Sequence, residues 1–275
     1  MIDISKIDYS LLDRPEILMF LFHPRPEWGA FQSATSYEDM LIEVEMDVGV
    51  GARFHDAGKD KPTILFFHGN GEIVADYNEM GPLYLRIGIN FLPVDYRGYG
   101  RSGGKPTIST MMRDAHVIFD YVKNLLVERG YTGPFLVMGR SLGSASALEL
   151  SAHYSDKIDG LIIESGFAFT GPLLRLLGID MEVLGMGEDD GFRNRDKIAE
   201  FSKPTLIIHG EHDQLISVTE GQALYDACPS ENKRLLIVKG ATHNDIFLRG
   251  IGEYMGAIRE LTKKLSAVST QHSAP

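Results

Sequence analysis

The sequence predicts one α/β domain: a mostly parallel, doubly wound sheet with an antiparallel hairpin at one edge and a small helical lid. Three observations predict it. Short, almost wholly apolar runs recur along the chain, segments of helical periodicity lie between them, and one late connection is too long for a turn.

The runs are residues 64–67 after Pro62, 89–92 after Gly88, 135–138 after Pro134, 161–163 after Gly160, 206–208 after Pro204, and 235–238. A strand covered on both faces has no side to show to water, so runs without alternation belong to a parallel sheet between helices. Residues 41–47 do alternate. With residues 52–55 across a glycine-containing turn, they read as an antiparallel hairpin at the first edge of the sheet. Between the runs, Met111, Ala115, Ile118, Val122 and Leu126 repeat at helical spacing, with Gly130 placed as a stop. Ile246, Ile251, Met255, Ile258, Leu261 and Leu265 form a similar stripe near the end. Strands alternating with helices give the doubly wound sheet.

The long connection spans about residues 166–203 and is read as a lid, since insertions of this length in a compact domain usually serve function. Its Leu173, Leu174, Leu176, Leu177, Met181, Val183, Leu184 and Met186 could line an acyl pocket or fix the lid to the domain. Its acidic run, Glu188, Asp189 and Asp190, reads as a solvated tip.

Composition sets the outer bounds. The chain has 275 residues, 44% hydrophobic and 24% charged, which suits one soluble globular domain with a core that needs no staples. A formal charge of −11 and the lack of a basic run argue against nucleic acid as a partner. The single cysteine, Cys228, permits no intrachain disulfide and reads as a small buried hydrophobe in a reducing, cytoplasmic setting. The first residues lack the pattern of a secretory signal, and residues 17–22 are too short to span a bilayer and are expected to pack on the domain. Residues 266–275 are small and polar and are expected to form a flexible tail.

The chemistry is carried by Gly139-Arg140-Ser141-Leu142-Gly143. This G-x-S-x-G follows an apolar strand and precedes a small-residue helix, the strand–turn–helix context of a nucleophile elbow. Gly139 and Gly143 are needed because strand and helix nearly touch the flanks of such a serine. His68-Gly69-Asn70-Gly71 follows the strand at 64–67 and offers the second oxyanion donor, so the backbone N–H groups of Asn70 and Leu142 are assigned to the oxyanion hole. His68 is read as a brace for its loop. The acid should follow a later strand, where Asp213 stands in a loop after Gly210. Glu164, at the preceding strand end, is its best substitute, ahead of Glu211 and Asp95. The base must come last in chain order, and His243 lies between the final strand and the C-terminal helix. His209 and His212 precede the acid and are read as structural or pocket-lining.

The set H-G-N-G, Asp95-Tyr-Arg-Gly-Tyr-Gly-Arg-Ser102, G-R-S-L-G-S, P-T-L-I-I-H-G-E-H-D and G-A-T-H-N resembles the α/β-hydrolase superfamily over about residues 40–265. It is most similar to a small-lid serine hydrolase branch that includes bacterial esterases and depalmitoylating thioesterases. The resemblance implies Ser141, Asp213 and His243 as a catalytic triad and Asn70 and Leu142 as oxyanion donors. Membrane-anchored members carry a cysteine-rich or transmembrane leader that has no counterpart here, so a membrane-bound lipidated substrate is not expected. The Asp95–Ser102 loop lacks the Lys-Ser/Thr ending of a phosphate loop, and nucleotide binding is rejected. The reading is thus a serine esterase for short to medium acyl chains, acting on a small-molecule ester or thioester with no metal or other cofactor. A thioesterase, an aminopeptidase and a ligand-binding protein without turnover are the alternatives.

Overall fold

The structure, a computed structural model, describes residues 7–28 and 37–272, with side chains through residue 266. Eight strands form one sheet in the order β1-β2-β4-β3-β5-β6-β7-β8. They are β1 (Glu38–Glu45), β2 (Val48–Phe54), β3 (Thr63–Phe67), β4 (Asn90–Val94), β5 (Phe135–Arg140), β6 (Gly160–Glu164), β7 (Thr205–Gly210) and β8 (Lys233–Val238). The pairings β1·β2 and β2·β4 are antiparallel, and those from β4 through β8 are parallel. Each apolar run read from the sequence is one of the parallel strands.

The helices are α1 (Pro15–Leu21), α2 (Gly81–Arg86), α3 (Ile108–Glu128), α4 (Gly143–His153), α5 (Thr170–Leu176), α6 (Asn194–Ala199), α7 (Val218–Ala227) and α8 (Ile246–His272). The period of two in a strand divides the core into two layers. Leu65, Phe67, Phe135 and Val137 join the layer that holds Met111, Ile118 and Val122 of α3 and Ala147 and Leu150 of α4. Ile64, Phe66, Leu136 and Met138 face the opposite way, against Tyr84 of α2 and Tyr254 and Ile258 of α8. Both faces of the sheet are therefore dry from β3 through β7, which is why those strands carry no polar alternation, whereas β1 at the edge alternates. Among the described residues no helix is long and apolar enough to cross a membrane.

One local expectation needs correction. The hairpin turn falls at Met46 and Asp47, before the glycines that seemed to mark it, and Gly49 and Gly51 lie inside β2. Asp47 takes φ 63°, a left-handed conformation that Asp tolerates better than most residues. Gly51 serves close approach instead: a Cβ there would stand 3.0 Å from Asp95 Oδ2. Helix α8 continues through His272, because neither Gly nor Pro interrupts residues 257–274 and Ser266 Oγ bonds back to the Thr262 carbonyl at 3.1 Å. The segment at 17–22 does pack on the domain, with Ile17, Leu21 and Phe22 buried.

Two glycines fix how closely helix α4 can approach the sheet. A Cβ on Gly139 would lie 2.2 Å from the Gly143 carbonyl oxygen, and one on Gly143 would lie 2.2 Å from the Phe67 carbonyl oxygen. These neighbours are backbone and cannot swing aside. Gly143→Ala should therefore cost about 3 kcal/mol or more, at the upper end for overpacking. Urea denaturation checks this through the midpoint at constant slope. An unchanged midpoint would mean that the elbow has slack that its geometry denies.

Candidate active site

The elbow lies where β5 gives way to α4. Ser141 stands at φ 51°, a left-handed conformation that costs a non-glycine residue on the order of 1 kcal/mol or more. Surrounding bonds hold it there. Its N–H donates to the Glu164 carbonyl at 2.8 Å, and its own carbonyl accepts the Ser144 hydroxyl at 2.6 Å. Ser144, Ala145, Ser146 and Ala147 are fully buried, small enough to let α4 lie close to the sheet. The sharp turn thrusts the Ser141 side chain out at the carboxyl edge of the sheet.

Two other loops bring partners to that edge. His243, after β8, has Nε2 3.0 Å from Ser141 Oγ and Nδ1 2.7 Å from Asp213 Oδ2. Asp213, after β7, is itself anchored: its Oδ1 accepts the Leu215 and Ile216 amides at 2.9 and 2.8 Å. Burial pushes the Asp213 carboxyl up, but bonds from His209 and His243, the His243 charge and the Ile216 amide outweigh it. The net effect holds it well below the usual carboxylate range. His209 is a partner that sequence reasoning left out of the site. Its Nε2 lies 2.8 Å from the Ile216 carbonyl and 3.5 Å from Asp213 Oδ2, so it bears on the acid and its loop together. Glu164 does not reach the histidine line. Its carboxylate takes Arg140 Nε at 3.1 Å and the Tyr254 hydroxyl at 2.6 Å. Glu211 binds the Gly240 amide at 2.8 Å, and His212 is exposed.

The loop after β3 faces the elbow from the other side. His68 is buried, with Nδ1 2.8 Å from the Gly69 carbonyl and Nε2 3.2 Å from Asp95 Oδ1, and the Tyr96 hydroxyl donates to its carbonyl at 2.7 Å. Gly69 N–H is spent on Glu72 Oε2 at 2.7 Å. Gly71 takes φ 76° with nothing within 4 Å of a would-be Cβ. The backbone N–H groups of Asn70 and Leu142 find no protein acceptor among the described residues.

Arg140 is the other group that the sequence did not single out. Its guanidinium is ion-paired with Glu72 and Glu164 and donates through Nη2 to the His243 carbonyl at 2.9 Å. Burial by itself would lower Arg140, yet the two carboxylates outweigh it and keep the side chain fully charged. The signal was in plain sight as the first variable position of G-x-S-x-G, but its partners lie far apart in the sequence.

The lid region comprises α5, a 3-10 turn at Glu188–Asp190 and α6. Its apolar residues divide by role. Leu174, Met181 and Met186 are buried against the domain, whereas Leu176 and Val183 face outward. A cavity of about 340 Å³ adjoins Asp213, lined by Phe167, Leu173, Leu176, Leu215 and Ile216 among others. That volume is in the range of small-molecule sites. The acidic run is more than a solvated tip. Glu188 accepts the Thr170 and Gly171 amides and so caps α5, while Asp189 remains 87% exposed beside Arg193.

The strand order, the flanking helices and the elbow together define an α/β hydrolase. The chain belongs to that superfamily and, within it, to the Hydrolase_4 family, described as serine aminopeptidase, S33, whose sequence model matches residues 58–179 and 192–248. It is 31% identical over 208 residues to human alpha/beta hydrolase domain-containing protein 17B, covering 74% of this chain and 67% of that protein. To the 17C protein of Xenopus tropicalis it is 32% identical over 192 residues, 68% of this chain and 57% of the relative. Among solved structures, the Pyrococcus furiosus esterase Pf2001 superposes with a TM-score of 0.69 at 22% identity, covering 88% of this chain and 100% of that one. Est1E from Butyrivibrio proteoclasticus gives 0.65 at 18% identity over 83% and 99%. At these identities the two structures speak for the fold alone.

One further cluster has the spacing of metal ligands: His116 of α3 and Glu149 and His153 of α4 offer donor atoms within 4.8 Å of one another. Sequence reading missed it because two helices must pack before the three meet. Glu149 is already engaged, 2.8 Å from the fully buried Lys197 ammonium and bonded by the Tyr9 hydroxyl at 2.6 Å. Desolvation raises the Glu149 carboxyl, but the Lys197 charge and the bonds from His116, Lys197 and Tyr9 hold it well below its ordinary value. A carboxylate so lowered contributes stability that is present above its unfolded value, about pH 4, and is lost as pH falls below it. Glu149→Gln should strand the Lys197 charge and cost about 3–5 kcal/mol at pH 7. The deficit should shrink toward pH 3. Denaturation midpoints at both pH values check this, and equal losses would remove the ion pair as their cause.

Proposed function

We propose that the chain is a serine hydrolase that cleaves carboxylic esters of short to medium acyl chain through an acyl-enzyme on Ser141. The observation that carries the reading is the unbroken line from Ser141 Oγ to His243 Nε2 at 3.0 Å and from His243 Nδ1 to Asp213 Oδ2 at 2.7 Å. His243 takes the Ser141 proton as Oγ attacks the acyl carbon, and Asp213 holds the ring in the needed tautomer and stabilises its cation. The Asn70 and Leu142 N–H groups receive the oxyanion; Leu142 adds the positive end of α4. The alcohol leaves with the proton returned by His243. Water then attacks the acyl carbon by the same proton route and frees Ser141.

The cavity beside Asp213 is lined by apolar Phe167, Leu173, Leu176, Leu215 and Ile216 together with polar Arg175, Gln214, Ser217 and Glu220, and its apolar part suits a short acyl group. The aminopeptidase reading, suggested by the family's description, needs a carboxylate to hold a free α-amine. The lid acids give it little support, because Glu188 is spent on the α5 amides. A thioester fits the same apparatus as an ester and is the nearest alternative.

Two experiments test the proposal. Ser141→Ala or His243→Ala should lower kcat on ester substrates by about 10⁴-fold or more with the fold retained. Asp213→Asn should be severe and Glu164→Gln milder; the reverse order would make Glu164 the acid. A panel of esters, thioesters and peptide amides at several chain lengths decides the substrate class. Esters should turn over far faster than amides, whose leaving group must be protonated and demands strong anchoring. Release of N-terminal amino acids at rates rivalling ester cleavage would turn the assignment to an aminopeptidase, and dominance of thioesters to a thioesterase.

A further inference from the structure

The segment before β1 touches the loop after β3 in a way that the mechanism above does not use. Asn70 sits between Gly69 and Gly71, and Gly71 at φ 76° leaves the loop open on one side, with nothing within 4 Å of a would-be Cβ. Flanking glycines give such a loop conformational freedom that its hydrogen bonds must remove. Here the Asn70 side chain is tied at both ends. Its Oδ1 accepts the His23 backbone N–H at 2.9 Å and the Tyr99 hydroxyl at 2.7 Å. Its Nδ2 donates to the His23 ring at Nδ1, 2.8 Å away. His23 N–H also reaches the Tyr99 hydroxyl at 2.8 Å.

The rest of the segment is fastened to the same surroundings. Arg25 Nε donates to the Gly71 carbonyl at 2.8 Å, and the Arg25 guanidinium pairs with Asp76. The Gly100 amide donates to the Arg25 carbonyl at 2.9 Å, and the Glu27 amide to the Gly100 carbonyl at 2.8 Å. Residues 22–27 thus form a strap across the Asn70 loop and the Asp95–Ser102 loop. His23 is the one strap residue whose main chain and ring both grip Asn70.

We propose that His23 is a positioning residue for the oxyanion hole: by fixing the Asn70 side chain it fixes the Asn70 N–H that receives the developing negative charge. The inference rests on the assignment of Asn70 N–H as an oxyanion donor. An oxyanion donor acts on the transition state far more than on bound substrate, so loosening it should lower kcat and spare KM. Removing a donor outright costs about 10²–10³-fold; a displaced donor should cost less.

The test uses the full chain with an ester substrate and a boronic acid that mimics the tetrahedral intermediate. His23→Ala should lower kcat about 10-fold or more with KM within two-fold, and should weaken boronate inhibition by a similar factor. His23→Asn, whose Oδ1 can replace Nδ1 as acceptor, should restore most of both. In an Asn70→Ala background, His23→Ala should change kcat little, because the side chain it acts through is gone. An unchanged kcat and boronate affinity in His23→Ala would overturn the proposal. So would a full additional loss in the Asn70→Ala background, or a rise in KM alone. Reaction of Ser141 with a fluorophosphonate in every variant keeps the underlying hydrolase reading separate: absence of labelling in the unmutated chain would count against that reading, not against the strap.

Discussion

The candidate site depends on one buried cation. Arg140 is paired with Glu72 and Glu164 and holds the His243 carbonyl at 2.9 Å. Glu72 in turn takes the Gly69 amide at 2.7 Å, and Glu164 takes the Tyr254 hydroxyl of α8 at 2.6 Å. One guanidinium therefore ties the nucleophile turn to the histidine loop, to the loop bearing Asn70 and to the C-terminal helix. Only a planar fork of five donors can serve so many acceptors at once, and a lysine could not. Removal of the guanidinium would leave two carboxylates facing each other without a counter-charge. The three loops that must agree to within a fraction of an ångström for acyl transfer thus share one anchor.

That anchor also explains why Glu164 is an inferior candidate for the acid, although it ends a strand at the right edge. Its oxygens are turned toward Arg140 and Tyr254, away from His243. Chain order alone left the choice between two carboxylates open, and hydrogen-bond direction supports the proposed role of Asp213.

What could be read from the chain was whatever is local and periodic. The apolar strands and the elbow with its two glycines lie in short windows, and so does each of the short motifs that carry Asp213 and His243. The hairpin turn was misplaced because a glycine can mean either a turn or a close approach, and Gly51 means the second, against Asp95. The apolar lid residues could be named, yet their division into buried Leu174 and exposed Val183 needed the packing. Long-range polar contacts outside the recognised motifs were not legible. Arg140 and His243 are separated by 103 residues, and Tyr9 meets Glu149 across 140.

The left-handed backbone at Ser141 has a consequence for how this chain can change. At φ 51° a glycine would sit with less strain, so backbone conformation favours a residue without the hydroxyl that the proposed acyl transfer needs. Holding a hydroxyl there sets folding against chemistry at a single residue, and the opposing cost falls on the neighbours: a Gly139 and Gly143 that tolerate no methyl group, and a run of small side chains behind them. Relaxed selection on catalysis would thus leave its earliest mark at Ser141, with the scaffold around it gaining stability as the reaction was lost.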